Sequence, residues 1–103
     1  MAYEVAWAES AIASLIDAIE YIARDSPSYA AALAVRTERA AASLDRFPDR
    51  GRRVAEFNDP AVRELPVDSY RLIYRVGAAR VVLLAFVHKS RDLGGLLGDS
   101  QQS

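Results

Sequence analysis

The stretch "VVLLAFVHKSR", Val81 to Arg91, decides how this chain is read. Seven apolar residues run without a break into the only histidine, and a lysine and an arginine follow. A short continuous apolar run bounded by turn signals fits a buried strand. The stretch before it, "YRLIYRV", alternates. Tyr70, Leu72, Tyr74 and Val76 share one face, and Arg71, Ile73 and Arg75 share the other. "GAA" turns the chain between the two, so they are expected to pair as neighbours. Upstream, "AVRELPV" reads as another short strand whose Pro66 marks an edge or an end. "NDP" is a turn, and "RRVAEF" is one more strand candidate.

The first half has a different period. "YEVAW", Tyr3 to Trp7, is β-prone and alternating. From Ala8 onward, Ile12, Leu15, Ile16, Ile19 and Ile22 recur at helical spacing, with Asp17, Glu20 and Arg24 on the opposite face. "RDSPS" ends that helix, because Pro27 drives Ser26 out of the helical region. Ser26 can then cap a second helix with Pro27 in its first position. Ala30, Leu33, Thr37, Ala40, Leu44 and Phe47 form the second helix's inward stripe, and "FPDRG" stops it. So short a connection makes the helices antiparallel. The expected fold class is α+β: a two-helix N-terminal hairpin packed on one face of a small, mostly antiparallel sheet. Residues 1–92 are taken as a single domain and 93–103, "LGGLLGDSQQS", as a flexible tail.

Composition narrows the functional classes. With 103 residues the chain has room for one modest core. It has no cysteine, which excludes disulfides and thiolate metal sites. One histidine among scattered acids is a poor metal site, so neither metal nor cofactor is expected. "MAYEVAW" has no basic and apolar leader pattern, and no apolar run approaches a membrane span. A cytoplasmic location is the expectation. Net charge is −1, but unevenly placed. Residues 1–49 hold four arginines against eight acids, whereas residues 50–91 hold eight arginines and one lysine against four acids. Either the second half prefers an anionic partner, or the two halves neutralise one another across the fold.

A two-layer fold leaves one sheet face without a cover. A half-exposed strand alternates, and "VVLLAFV" does not. If Val81, Leu83, Ala85 and Val87 face the helices, then Val82, Leu84 and Phe86 point to the free side beside Ile73. The expected partner-binding set is therefore Ile73, Val82, Leu84, Phe86 and Arg75. The rival reading is that the tail or the 50–66 segment folds across this strip. Register decides the place of His88. With Val76 opposite Val81, Arg71 faces Phe86 and shares the free face with Arg75 and His88. An odd-length loop moves His88 to the helix side. The sequence leaves both open.

The order and spacing of "VAW", "FPDRGRRVAE", "RELPVDSYRLIYRV" and "FVHKSRD" resemble the ParE/RelE superfamily of toxins from bacterial type II toxin–antitoxin systems, over about residues 3–92. The resemblance implies the same two-layer fold and a cognate antitoxin that wraps the toxin in a hetero-oligomer. It also implies one of two activities. RelE-like members are ribosome-dependent mRNA endoribonucleases, and ParE-like members poison DNA gyrase. The approach to the "YR" strand is acidic here, with Glu64 and Asp68, and no aromatic follows Arg91. Both features lean toward ParE.

Metal-free RNA cleavage needs activation of the 2′-hydroxyl, charge stabilisation at phosphate and a proton for the leaving group. Arg71 matches a functional arginine of the ribonuclease branch and has the fork for a phosphate. His88 suits proton transfer near neutral pH, and Arg91 or Lys89 adds charge. These are the only catalytic candidates, and the tyrosine that would complete the set is missing. The plainer reading makes His88 a solvated strand end, pairs Arg71 and Arg75 with Glu56, Glu64 or acids of the antitoxin, and puts Tyr70 and Tyr74 in the core. A binding toxin directed at gyrase is therefore the first expectation. A RelE-like nuclease acting on mRNA at the ribosome is the alternative, and an inert interaction module of the same fold is a third reading.

Overall fold

The computed structural model describes residues 2–91 and Leu93. Strand β1 (Glu4–Trp7) leads into helices α1 (Glu9–Ala23) and α2 (Pro27–Ala42). A 3₁₀ turn over Ser43–Asp45 follows, then β2 (Arg52–Arg53), β3 (Val62–Val67), β4 (Tyr70–Val76) and β5 (Arg80–His88). The five strands form one sheet in the order β1-β5-β4-β3-β2. Only the β1–β5 pair is parallel, and the intervening α1–α2 hairpin supplies the long crossover that a parallel pair requires. The α+β two-layer class is the one expected.

Local chemistry accounts for the boundaries. Ser26 accepts a hydrogen bond from the Tyr29 amide at 3.3 Å, and Pro27 opens α2. Ala30, Leu33, Thr37, Ala41 and Leu44 are buried, and the Thr37 hydroxyl donates to the Leu33 carbonyl at 2.8 Å. Phe47 departs from expectation and is 63% exposed. α2 ends at Ala42 and tightens into the 3₁₀ turn, so the stripe ends at Leu44 and Phe47 swings outward.

The second departure sets the architecture. β4 and β5 start in the expected register, with Val76 opposite Val81. Farther along, Tyr74 pairs with Leu83 while Ile73 pairs with Ala85, so Leu84 is an extra residue in β5. Such a bulge exchanges the faces beyond it. Val81 and Leu83 face the helices, and past the bulge Phe86 does so instead of Ala85 and Val87. Helix α1 satisfies the edge groups on either side of the bulge. The Ser10 hydroxyl donates to the Leu84 carbonyl at 2.8 Å, and the Phe86 amide donates to Ser14 Oγ at 2.8 Å. β1 pairs only as far as Leu83, so these hydroxyls continue the edge where the strand stops.

The result is two cores. The main one lies between helices and sheet and includes Leu33, Leu44, Leu72, Tyr74, Leu83 and Phe86. The second lies on the face expected to be bare. There Val54, Val62, Ile73, Ala85, Val87 and Leu93 pack together, with Phe57 and Leu84 partly buried against them. The 50–66 segment therefore does fold across the strip. This limits β2 to two residues, because Val54 and Phe57 turn inward instead of extending the strand. Leu93, placed in the tail by sequence, is buried in this core; residues 94–103 of that expected tail lie outside the described residues.

Tyr74 fastens the connection between α2 and β2. Its hydroxyl donates to the Pro48 carbonyl at 2.8 Å and accepts from the Gly51 amide at 2.9 Å. Burial raises the phenol's pKa and keeps it neutral. A Cβ on Gly51 would collide with this hydroxyl and with the Glu64 carbonyl, so the close approach requires glycine.

Two outcomes in urea denaturation are expected. Phe86→Ala costs about 3–5 kcal/mol because it opens a cavity in the main core. Ser14→Ala costs about 1–3 kcal/mol because the Phe86 amide loses its acceptor. A Phe86 variant as stable as the parent would contradict the helix-facing assignment.

Candidate functional site

The bulge also separates the catalytic candidates. Arg71 pairs with Val87, and His88 pairs with Tyr70. His88 is exposed on the helix side, edge-on to the Tyr70 ring at 5.3 Å, and Tyr70 stacks on Phe86 at 4.7 Å. The Ser90 amide donates to His88 Nδ1 at 3.2 Å, and Ser90 Oγ lies 2.8 Å from the same nitrogen. Arg71 lies on the opposite face of the sheet. Its Nε–H donates to Glu64, and both terminal nitrogens donate to Glu56 at 3.0 Å. Arg71 is thus clamped by two carboxylates, with its side chain only 11% exposed. The Glu64 side chain is 5% exposed and also accepts from Arg52 at 2.8 Å. The exposed Arg91 lies near His88 in a shallow cleft with Ser14 and Asp17. The structure therefore splits the candidates: Arg71 on one face, His88 and Arg91 on the other.

The expected partner-binding residues divide in the same way. Ile73 is fully buried in the second core and Phe86 is 2% exposed in the main one, so the bare strip expected from sequence is corrected for both. Covering by Val54, Phe57 and Leu93 is the physical reason for Ile73, and the bulge is the reason for Phe86. Val82 and Leu84 are half-buried. Arg75 is exposed and paired with Asp59 at 2.6 Å.

An accessible apolar surface exists elsewhere. A groove lies between β1, the start of α1 and the end of α2, lined by Val5, Trp7, Ile12, Leu15, Ile16 and Ala41, with Glu38 at its side. Ile12 and Ile16 are 45% and 49% exposed. Their i, i+4 spacing was visible in the sequence, but helical periodicity assigned both to the core. The β1 edge adjoins this groove. The Glu4 amide donates to the Ala79 carbonyl just before β5 and the Ala8 amide to Leu83 within it, and the two-residue repeat leaves the Val5 and Trp7 amides directed away from the sheet.

The charges follow a pattern. The four acids of residues 50–91 are all paired: Glu56 and Glu64 with Arg71, Glu64 also with Arg52, Asp59 with Arg75, and Asp68 with Arg36. Asp68 sits at the β3–β4 turn with φ 55°, a left-handed conformation that aspartate tolerates. Tyr29 and Arg36 of α2 both donate to its carboxylate, at 2.9 and 3.0 Å. Hydrogen bonding from Arg71 lowers the pKa of Glu56. For Asp59 the Ala61 amide is the main cause, with Arg75 second, and for Asp68 the donors are Arg36 and then Tyr29. Among the described residues there is no cluster able to hold a metal ion and no helix long and apolar enough to cross a membrane.

The geometry defines a small two-layer domain with a clamped arginine, an apolar groove and no assembled acid–base pair around Arg71. Among solved structures, the chain is similar to the chromosomal ParDE toxin–antitoxin system of P. aeruginosa, at TM-score 0.70 and 17% identity over 84% of this chain and 95% of that one. It is also similar to the RelBE2 toxin–antitoxin complex of Mycobacterium tuberculosis, at TM-score 0.59 and 24% identity over 88% of this chain and 95% of that one. No curated protein matches the sequence. The model of the ParE toxin of type II toxin–antitoxin systems, parDE, matches residues 5–93, and the chain belongs to that family.

The carboxylate shifts fix the sign of the pH dependence. Glu56, Asp59 and Asp68 have folded-state pKa values below their unfolded ones. Their contribution is present at neutral pH and is lost as pH falls through the lowered values. Thermal melting is expected to hold steady from pH 7 to about 5 and to fall below about pH 4. Glu56→Gln should flatten that acid limb; an unchanged limb in this variant would remove Arg71 as the cause.

Proposed function

We propose that this toxin acts by binding rather than by cleaving RNA, with DNA gyrase as its target and a cognate antitoxin as its inhibitor. The clamp on Arg71 carries the reading. A phosphate-binding arginine must present its fork to the ligand, and this one is committed to Glu56 and Glu64. The sheet lies between it and His88, so phosphate stabilisation and proton transfer do not converge on one atom. Family membership supports gyrase as the target and an antitoxin as the partner. A cytoplasmic setting follows from such a target.

The groove suits an apolar helix from the antitoxin, read as anchors every three to four residues. Ile12, Ile16 and Trp7 would make the contact, and the outward amides of β1 could receive an extended segment beside it. Val82 and Arg75 remain accessible for a second contact on the other face.

Purified protein added to a gyrase supercoiling assay should block supercoiling, while cell-free translation continues with intact mRNA. Cleaved mRNA, abolished by His88→Ala, would reverse this and favour the nuclease. Ile16→Asp should weaken antitoxin binding at least about ten-fold with circular dichroism unchanged, because it places a charge in the apolar contact. Undiminished binding by that variant would move the antitoxin elsewhere.

A further inference from the structure

We propose that the chain has a nucleic-acid-binding face, distinct from the apolar groove, built from two basic clefts that meet at the β3–β4 turn. One cleft lies between α2 and that turn, and the other lies between β2 and the end of β5. They share Pro66 and Asp68, so they form one continuous surface. Six arginines and Lys89 line it against only Glu56, Glu64 and Asp68, a net charge of +4 on a molecule whose total is −1.

The three carboxylates do not leave this surface repulsive to an anion. Each is already held by an arginine: Glu56 by Arg71, Glu64 by Arg71 and Arg52, and Asp68 by Arg36. Arg39, Arg50 and Arg53 are exposed and make no ion pair among the described residues. They stand on three different elements around the shared turn, so the spare positive charge is spread along the surface. Helix α2 separates this face from the groove, turning Arg36 and Arg39 to one side and Glu38 and Ala41 to the other.

The lining favours phosphodiester over an acidic protein. A stable protein interface has an apolar centre with buried anchors. Among the residues lining the two clefts, Pro66 and the half-buried ring of Tyr70 are the sizeable accessible apolar surfaces, while the apolar anchors lie in the groove. Planar arginine forks without an apolar centre suit backbone phosphates, whose binding is salt-dependent and largely independent of sequence. The inference does not rest on gyrase or antitoxin, and its test contains neither.

The test is fluorescence anisotropy with a labelled 20-mer as single-stranded DNA, duplex DNA or RNA, and with polyglutamate as the acidic-peptide probe. Binding to at least one nucleic acid at about 50 mM salt is expected, weakening steeply toward about 200 mM. The arms then show which backbone is preferred. The triple variant R39A/R50A/R53A should bind about ten-fold or more weakly, with a salt slope shallower by roughly two to three for duplex. Arg80→Ala, at the far end of β5 and paired with Glu4, should bind as the parent does. Circular dichroism confirms that each variant is folded. The proposal is overturned by absence of binding to all three nucleic acids, by a triple variant that binds undiminished, or by tighter binding to polyglutamate.

Discussion

One extra residue in β5 determines most of what this molecule presents to its surroundings. Leu84 has no partner across β4, and the strand accommodates it because α1 supplies two hydroxyls at the point where β1 stops. Without those hydroxyls, the edge carbonyl of Leu84 and the edge amide of Phe86 would meet an apolar helix face, which is costly for unpaired backbone groups. With them, β5 changes face once. Phe86 joins the helices, Ala85 and Val87 join a second core, and His88 leaves the side that holds Arg71. A fold that two layers would leave bare on one side thus acquires a partial third layer from Val54, Phe57 and Leu93.

Electrostatics divides the surface on the same frame. Glu56, Glu64 and Asp59 are held by arginines of the same half and Asp68 by Arg36 of α2, and among the described residues only Arg63–Asp49 and Arg80–Glu4 join a second-half cation to a first-half acid. The uneven charge visible along the sequence is therefore not cancelled by folding. The acids of α1 stay on the helical side, and the surplus of arginine gathers around the β3–β4 turn. Apolar and basic surfaces end up on either side of α2, so two partners of different chemistry need not compete for the same residues.

Strict alternation is the most legible pattern in this chain. "YRLIYRV" sorted its tyrosines inward and its arginines outward because strict alternation admits one arrangement. The helical hairpin, the Ser26 cap and Pro27 at the first position are local chemistry and were equally legible. "VVLLAFV" had no period, so nothing in it distinguishes a regular strand from a bulged one. The signal that could have found the bulge lies in another element: Ser10 and Ser14, four apart, place two hydroxyls on one side of α1. The clamp on Arg71 is among the pairings the sequence offers, with Glu56 and Glu64 as candidate partners beside acids of the antitoxin. The groove was not, because amphipathic spacing cannot say how wide a stripe the sheet will cover.

The two rims of the sheet are unlike. β2 ends one side with two exposed arginines and nothing more, a short and charged border that resists pairing with another strand. β1 ends the other with Val5 and Trp7 beside an open apolar channel. A sheet that is adhesive along a single border can join one strand but offers no second border from which stacking could continue. Copies of this chain are thereby protected from growing into fibres by their own β-structure.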